Sequence, residues 1–272
     1  MRLKPLVIDG PRMGDIAEPG ETQAFLLILR TAYTERRRIE AVQLWTHSPK
    51  RICENHDLMD ILKKLKELNI STALQVSITG LGGHHKIEPG VETSEEAFKR
   101  LNEITQVIPP ERICLRVDPI QSWLTDGGEK VSNESQTLQI LVRAAQMGVQ
   151  RARTSPLQYE QYKSKIQKRE TTRGIRYVPP NMELAAKNML RANKHGVEVK
   201  SCATDLTSFG IEPGACFDFL WLTGRKMEEP IRPVAKRQGC LCFFPRDVIL
   251  RKIPKRSDCS GRCAPCYAQM HS

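Results

Sequence analysis

The sequence predicts an α/β protein, a complete or partial (β/α) barrel followed by an irregular, cysteine-rich tail. Short apolar runs alternate about six times with longer helical patterns, as parallel strands joined by helices require. No Gly-x-Gly-x-x-Gly motif follows the first run, which disfavours an open dinucleotide-binding sheet. After about residue 224 the periodicity fades, and Arg, Lys, Pro and Cys accumulate.

The predicted strands are short runs rich in Val, Ile and Leu, as is typical of strands that are buried on both faces. They cover residues 6–9, 41–46, 72–79, 113–117, 149–154 and 197–203, with a further one near 216–222.

Helical patterns lie between these runs, at residues 21–34, 58–68, 94–106, 135–147, 155–168 and 182–194. In the second of them, Leu58, Ile61, Leu62 and Leu65 recur at the spacing of one helix face. Gly196 follows the last pattern, and glycine is the preferred residue just past a helix end.

The change in composition divides the chain into two predicted parts. Residues 1–224 form the barrel-like domain, and residues 225–272 form a basic, cysteine-rich tail that packs at the barrel mouth. The tail holds eleven Lys or Arg against four Asp or Glu, and the whole chain carries a net charge of +11. Clustered positive charge attracts polyanions, so DNA or RNA is a candidate partner of the tail.

Hydropathy predicts a cytoplasmic protein without membrane contact. No run of about 18 apolar residues is present, and the first residues lack the apolar core of a signal peptide. In a reducing compartment the nine cysteines are available as metal ligands.

The most specific motif is a cysteine triplet near the carboxyl terminus, Cys259-x3-Cys263-x2-Cys266. Three thiolates on one tight loop can each hold one iron of a [4Fe-4S] cube. The fourth iron then lacks a protein ligand, and S-adenosylmethionine can bind it through its amino and carboxylate groups. We therefore predict a cube at these three cysteines, with S-adenosylmethionine as a second cofactor.

Four further cysteines are candidates for a second metal site. Cys240 and Cys242 form a C-x-C pair in the tail, and Cys202 and Cys216 follow predicted strands. Two clusters using all seven cysteines are one interpretation. A structural zinc site is the alternative, since the tail alone offers more than the four ligands that zinc needs.

Polar residues follow nearly every predicted strand, where the active sites of barrels lie. Thr46, Arg116 and Asp118 are the predicted cofactor-binding residues, and Arg116 and Asp118 either pair with each other or hold a cofactor carboxylate or ribose.

The chain resembles an uncharacterised family of proteins that end in a C-x-C and C-x3-C-x2-C-Tyr-Ala signature. Its inner segments are also similar to spore photoproduct lyase-like radical S-adenosylmethionine proteins, with the cysteine motif permuted from the amino to the carboxyl terminus. The likeness to the uncharacterised family rests on Arg12, Asp15, Ile16 and residues 44–49, 77–80, 88–90 (Glu-Pro-Gly), 116–120, 201–203, 214–218 and 240–268. The likeness to the radical S-adenosylmethionine proteins rests on residues 46–48, 76–78, 88–90 and 97–101.

The resemblance implies an iron–sulfur enzyme that uses S-adenosylmethionine and an electron donor, and that acts on a nucleic acid or nucleotide. The alternative is a non-enzymatic iron–sulfur or zinc protein that binds nucleic acid. A third interpretation is a metal-dependent hydrolase that uses His84, His85 and Asp118.

Overall fold

The computed structural model describes residues 3–12, 14–202, 204–228, 230–234, 240–254 and 263. Its centre is a seven-stranded sheet in which every neighbouring pair of strands is parallel. The strands are, in spatial order, β12 (Ile249–Lys252), β1 (Leu6–Asp9), β2 (Ile39–Thr46), β3 (Ser71–Ser77), β4 (Ile113–Ile120), β7 (Arg151–Pro156) and β9 (Glu198–Ser201).

One face of this sheet packs against helices and forms the largest apolar core. The helices are α1 (Pro19–Thr34), α2 (Pro49–Glu54), α3 (His56–Glu67), α4 (Ser94–Ile104), α5 (Thr137–Gln146) and α7 (Met182–Asn193). A sheet with its helices on one face, and with strands in nearly sequential order, has the winding of a barrel. No helix in the described residues has the length and apolar character needed to cross a membrane.

The sheet does not close into a barrel. Within the described residues β12 and β9 are its two edges, and they do not pair with each other. The prediction of an α/β fold built on parallel strands is therefore confirmed. Of the two predicted alternatives, a complete or a partial barrel, the complete barrel does not form.

The face of the sheet opposite the helices is covered by the chain that follows β9. Helix α8 (Phe219–Thr223) and the hairpin of β10 (Ile231–Pro233) and β11 (Phe243–Pro245) pack there in a second core, with Trp45 from β2. We call this covering chain the inner segment, residues 211–228, 230–234 and 240–248. It lies where the interior of a barrel would be.

A small cap lies beyond the carboxyl ends of the strands. It consists of an antiparallel sheet of β5 (Ser122–Thr125), β6 (Lys130–Ser132) and β8 (Ile175–Val178), together with α6 (Lys163–Arg173). Its apolar residues form a third core with Leu81, Leu157 and Ile166. These cap strands have no counterpart among the predicted elements.

Two predicted elements differ from the structure. Residues 216–222 form no strand, because the Asp218 side chain accepts from the Trp221 N–H and begins α8 instead. The helix predicted at 155–168 begins only at Lys163, because β7 continues through Pro156.

The expectation of an irregular tail is also corrected. Strand β12 pairs in parallel with β1, so the tail supplies one edge of the main sheet. The N–H of Ile253 continues this pairing by donating to the Asp9 carbonyl at 2.9 Å.

Candidate functional site

The carboxyl edge of the sheet gathers the polar residues predicted from the strand ends. Thr46 ends β2, Arg116 and Asp118 are the fourth and sixth of the eight residues of β4, and Cys202 follows β9. Because all seven strands are parallel, these positions share one edge of the sheet. Ligand sites of parallel α/β proteins lie at this edge.

Asp9 is the centre of a buried network at the end of β1. Its carboxylate accepts from Gln43 Nε2 at 2.9 Å, from Trp45 Nε1 at 3.2 Å and from Arg12 Nε at 2.6 Å. Arg12 in turn lies over the ring of Trp45 and reaches the Cys216 sulfur with Nη1 at 3.6 Å. The network fixes a positive charge above the sheet interior.

Arg116 and Asp118 form a buried ion pair, one of the two arrangements predicted from their spacing. Asp118 also accepts from the Ser155 hydroxyl, and the Arg116 guanidinium lies 5.0 Å from the centroid of Trp45. Burial opposes the charge of Arg116, but Asp118 and the nearby cysteine sulfurs outweigh it and raise its pKa above the ordinary value.

The Thr46 hydroxyl is engaged within the protein. It donates to the Asp15 carboxylate at 2.8 Å and accepts from the Ser48 N–H at 2.9 Å. Burial raises the pKa of Asp15 to about 6, although the N–H groups of Ala17 and His47 and the Thr46 hydroxyl favour its charged form. Thr46 therefore orders the turn that follows β2.

His47 lies next to this turn as a neutral imidazole. Burial, and then the positive charge of Arg116, lower the pKa of His47 to about 4. Its backbone N–H donates to Asp15 Oδ2 at 3.0 Å.

Three thiols from separate segments touch one another beside these arginines. The sulfurs of Cys216 and Cys242 are 3.4 Å apart, and the Cys202 thiol hydrogen-bonds to Cys216. All three cysteines are buried in the second core, and Cys240, which is half-buried, packs against it. Of the four cysteines that the sequence proposed for a second site, the structure thus brings three into contact and places Cys240 against the same core.

Within this group the pKa of Cys216 is lowered, whereas those of its two neighbours are raised. Hydrogen bonds from Cys202 and Cys242, and the charges of Arg12 and Arg116, hold the pKa of Cys216 well below its ordinary value against the effect of burial. The pKa values of Cys202 and Cys242 are raised, first of all by the hydrogen bond that each thiol shares with Cys216.

Two guanidinium groups at the site have buried donors without a partner in the described structure. They are Arg12 Nη2 and Arg116 Nη1, and the Gln75 side-chain oxygen is a third unpartnered atom on the same face. A buried donor without a partner is costly, by about 1–3 kcal/mol. Unpartnered positive donors are the feature that an anionic ligand would satisfy.

The predicted cysteine triplet is described at one position only. The Cys263 carbonyl accepts from Arg169 Nη1 of the cap helix α6 at 2.7 Å. The predicted ligands Cys259 and Cys266 lie outside the described residues. Cys263 therefore lies beside the cap, on the carboxyl side of the sheet.

No metal site is preformed in the described part of the chain, where no three His, Cys, Asp or Glu side chains are arranged to hold an ion. His84 and His85 stack on each other with ring centroids 5.1 Å apart, while Asp118 is engaged by Arg116 and Ser155. These three do not assemble the predicted hydrolase site.

Several basic residues of the tail are used inside the protein. Arg225 pairs with Glu40 and Asp247, Arg232 donates to the Val248 carbonyl, and Lys252 donates to the Val234 carbonyl. Lys236, Arg237, Lys255, Arg256 and Arg262 lie outside the described residues.

Glu88 is a buried carboxyl that sequence reasoning did not identify as part of the site. It accepts from the Thr79 hydroxyl at 2.6 Å and from Gln121 Nε2 at 3.4 Å, beyond the carboxyl end of β3. Burial raises the pKa of Glu88 to about 7, although both hydrogen bonds favour the charged form. Only the Glu-Pro-Gly resemblance pointed to this position.

Replacing Glu88 by glutamine is expected to flatten the pH dependence of stability. The carboxyl has an ordinary pKa of 4.5 and a folded pKa of about 7, so the folded state binds the proton more tightly between these values. Its contribution is complete below pH 4.5 and is lost as the pH rises through 7, on the order of 3 kcal/mol in all.

Urea unfolding at about pH 5 and about pH 8 measures this loss. The wild type and an exposed control, Glu183→Gln, should lose stability between the two conditions, and Glu88→Gln should lose less. An equal loss in all three proteins would remove Glu88 as the cause.

Comparison with known proteins identifies a family but not an activity. A search of curated proteins found no match. The family model described as a domain of unknown function, DUF1848, matches residues 28–268. Since this match covers most of the chain and includes six of the seven strands of the main sheet and all nine cysteines, the chain belongs to the DUF1848 family.

Proposed function

We propose that this protein is an iron–sulfur enzyme of the radical S-adenosylmethionine type, in which Cys259, Cys263 and Cys266 hold a [4Fe-4S] cube. One observation carries the proposal. Strand β12 is the outermost strand of the sheet and runs parallel to β1. The chain therefore leaves β12 at the carboxyl ends of the strands, where the polar site lies. Only six residues separate Lys252 from Cys259.

The reach of the chain supports a cube at this edge. A segment of that length spans at most about 24 Å at roughly 3.4 Å per residue. The contact between the Cys263 carbonyl and Arg169 brings the middle of the triplet to the cap, which also lies at the carboxyl ends.

The residues at the edge fit an amino acid cofactor. Arg116 Nη1 is a buried donor without a described partner, suited to a carboxylate, and Asp118 beside it is suited to an ammonium or a ribose hydroxyl. Thr46 holds the adjacent turn in place through Asp15. When bound, the cube and S-adenosylmethionine would supply an electron and a carbon-centred radical.

The protein's own contribution is to orient the bound groups and to exclude water from them. Trp45 and the inner segment close one side of the site, and the cap covers the strand ends. The Arg116 and Asp118 pair is fixed on a central strand, so groups held by it are oriented by the sheet itself.

The substrate that we propose is a nucleic acid or nucleotide, and an electron-donating protein is required as a partner. The resemblance to spore photoproduct lyase, a DNA-repair enzyme, and the positive net charge of the tail support this class of substrate.

Cleavage of S-adenosylmethionine tests the activity. Protein purified and reconstituted without oxygen, and reduced with dithionite, should convert S-adenosylmethionine to 5′-deoxyadenosine and methionine. If no 5′-deoxyadenosine forms, the enzyme proposal fails. Salt-dependent binding of DNA or RNA by the same protein without this cleavage would favour the non-enzymatic alternative.

A further inference from the structure

Four cysteines outside the triplet converge in the interior of the fold, although they are far apart in the sequence. Cys202 follows β9, Cys216 precedes α8, and Cys240 and Cys242 precede β11. Cys202, Cys216 and Cys242 belong to the second core and Cys240 packs against it, whereas Cys53 packs against the first core. Four thiols gathered from three segments in a protein without described disulfides are characteristic of a metal site.

The spacing of the sulfurs indicates the kind of metal site. Sulfurs bound to one tetrahedral zinc ion lie about 3.8 Å apart, given Zn–S bonds of about 2.3 Å. The sulfurs of Cys216 and Cys242 are 3.4 Å apart, and Cys202 is in hydrogen-bond contact with Cys216. In an iron–sulfur cube each thiolate binds a different iron, so the cube holds the cysteine sulfurs apart. Sulfurs in direct contact therefore fit a single metal ion better than a cube.

The charges around the thiols suit a tetrathiolate ion site. Zinc with four thiolates carries a net charge of −2, which is costly in a buried place unless it is compensated. Arg12 donates to the Cys216 sulfur and has an unpartnered Nη2 next to it, and Arg116 is the second buried cation. Because Arg12 is also paired with Asp9 and Arg116 with Asp118, the two guanidinium groups offset this charge in part.

We propose that Cys202, Cys216, Cys240 and Cys242 bind one Zn²⁺ ion, separately from the cube at the triplet. In the described geometry the thiols touch in pairs and do not surround a common centre. Binding would turn the Cys240 side chain inward and draw the other three sulfurs around the ion. The ion would then link the end of β9 to the part of the inner segment that precedes α8 and to the part that precedes β11.

A variant without the triplet separates this site from the proposed cube. Full-length protein with Cys259, Cys263 and Cys266 replaced by alanine should retain about one zinc per chain and no acid-labile sulfide after anaerobic purification. Adding Cys242→Ser to this variant should reduce the zinc content at least tenfold, and adding Cys53→Ala, the control, should leave it unchanged.

Three results would overturn the zinc site. They are iron and sulfide retained by the triplet variant, a Cys216–Cys242 disulfide in place of metal, and unchanged zinc in the Cys242→Ser variant. Because the triplet is absent, none of them depends on whether the enzyme proposal holds.

Cobalt substitution covers the case in which the Cys242→Ser variant does not fold. The triplet variant loaded with Co²⁺ should show the thiolate-to-cobalt absorption and the intense visible bands of a tetrahedral site, both lost when zinc is added. Weak bands typical of six-coordinate cobalt would contradict a tetrathiolate site.

Discussion

Replacing Cys263 by alanine is expected to lower the iron content from about four irons per chain to nearly none, and to abolish cleavage of S-adenosylmethionine. Each thiolate of the triplet holds one corner of the proposed cube, and a loop with two thiolates does not retain it. Iron and acid-labile sulfide, determined on anaerobically reconstituted protein, measure the effect.

Cys53→Ala is the matched control, because Cys53 is also half-buried but lies on α2 and contacts the Arg100 carbonyl. It should keep the iron and sulfide of the wild type. If Cys263→Ala retains as much iron as this control, Cys263 is not a ligand.

Replacing Arg116 by methionine is expected to lower the free energy of unfolding by about 3–5 kcal/mol. The substitution keeps most of the volume but leaves the partly buried Asp118 without its cation, and it removes the contact with Trp45. Urea unfolding at neutral pH measures the loss. The same variant should no longer cleave S-adenosylmethionine, because Arg116 is the proposed carboxylate ligand.

Arg143→Met provides a control with the same interactions at the surface. Arg143 also pairs with a carboxylate, that of Glu95, and also lies 5.0 Å from an aromatic centroid, that of Phe98. Because the Glu95 side chain is 83% exposed, its loss should cost less than about 1 kcal/mol. Similar losses in the two variants would show that burial of the Arg116 pair is unimportant.

The sheet could be predicted because its strands carry a local pattern. The run at residues 6–9 became β1 with the same bounds, and the predicted strands at 41–46 and 113–117 lie within β2 and β4. The run at 216–222 has similar apolar composition, but the Asp218 cap and burial in the second core made it a helix. Composition alone does not distinguish a short buried strand from a short buried helix.

Long-range pairing accounts for the main omission. Residues 249–252 contain two basic side chains and gave no strand pattern, yet they pair with β1 as an edge strand. Edge strands tolerate charged residues because one side of the strand faces no further strand. Their sequences can therefore look like those of loops.

The candidate site was partly visible in the sequence. The positions of Arg116 and Asp118 at the end of an apolar run predicted their place at the carboxyl ends of the strands, and their pairing is one of the two arrangements that the sequence left open. The contact of Cys202 with Cys216 follows from the path of the inner segment, which no spacing encodes. No spacing in the sequence encodes the environment of Glu88 either, since its hydrogen-bond partners Thr79 and Gln121 follow two different strands.

Electron paramagnetic resonance of the reduced protein tests the central claim most directly. With a cube at Cys259, Cys263 and Cys266 and one iron open, the reduced protein should give a [4Fe-4S] signal that shifts when S-adenosylmethionine is added. With S-adenosylmethionine labelled with ¹⁵N at its amino group, nuclear coupling to the cluster should appear. A cluster signal that S-adenosylmethionine leaves unchanged, or a protein with zinc and no cluster signal, would contradict the account.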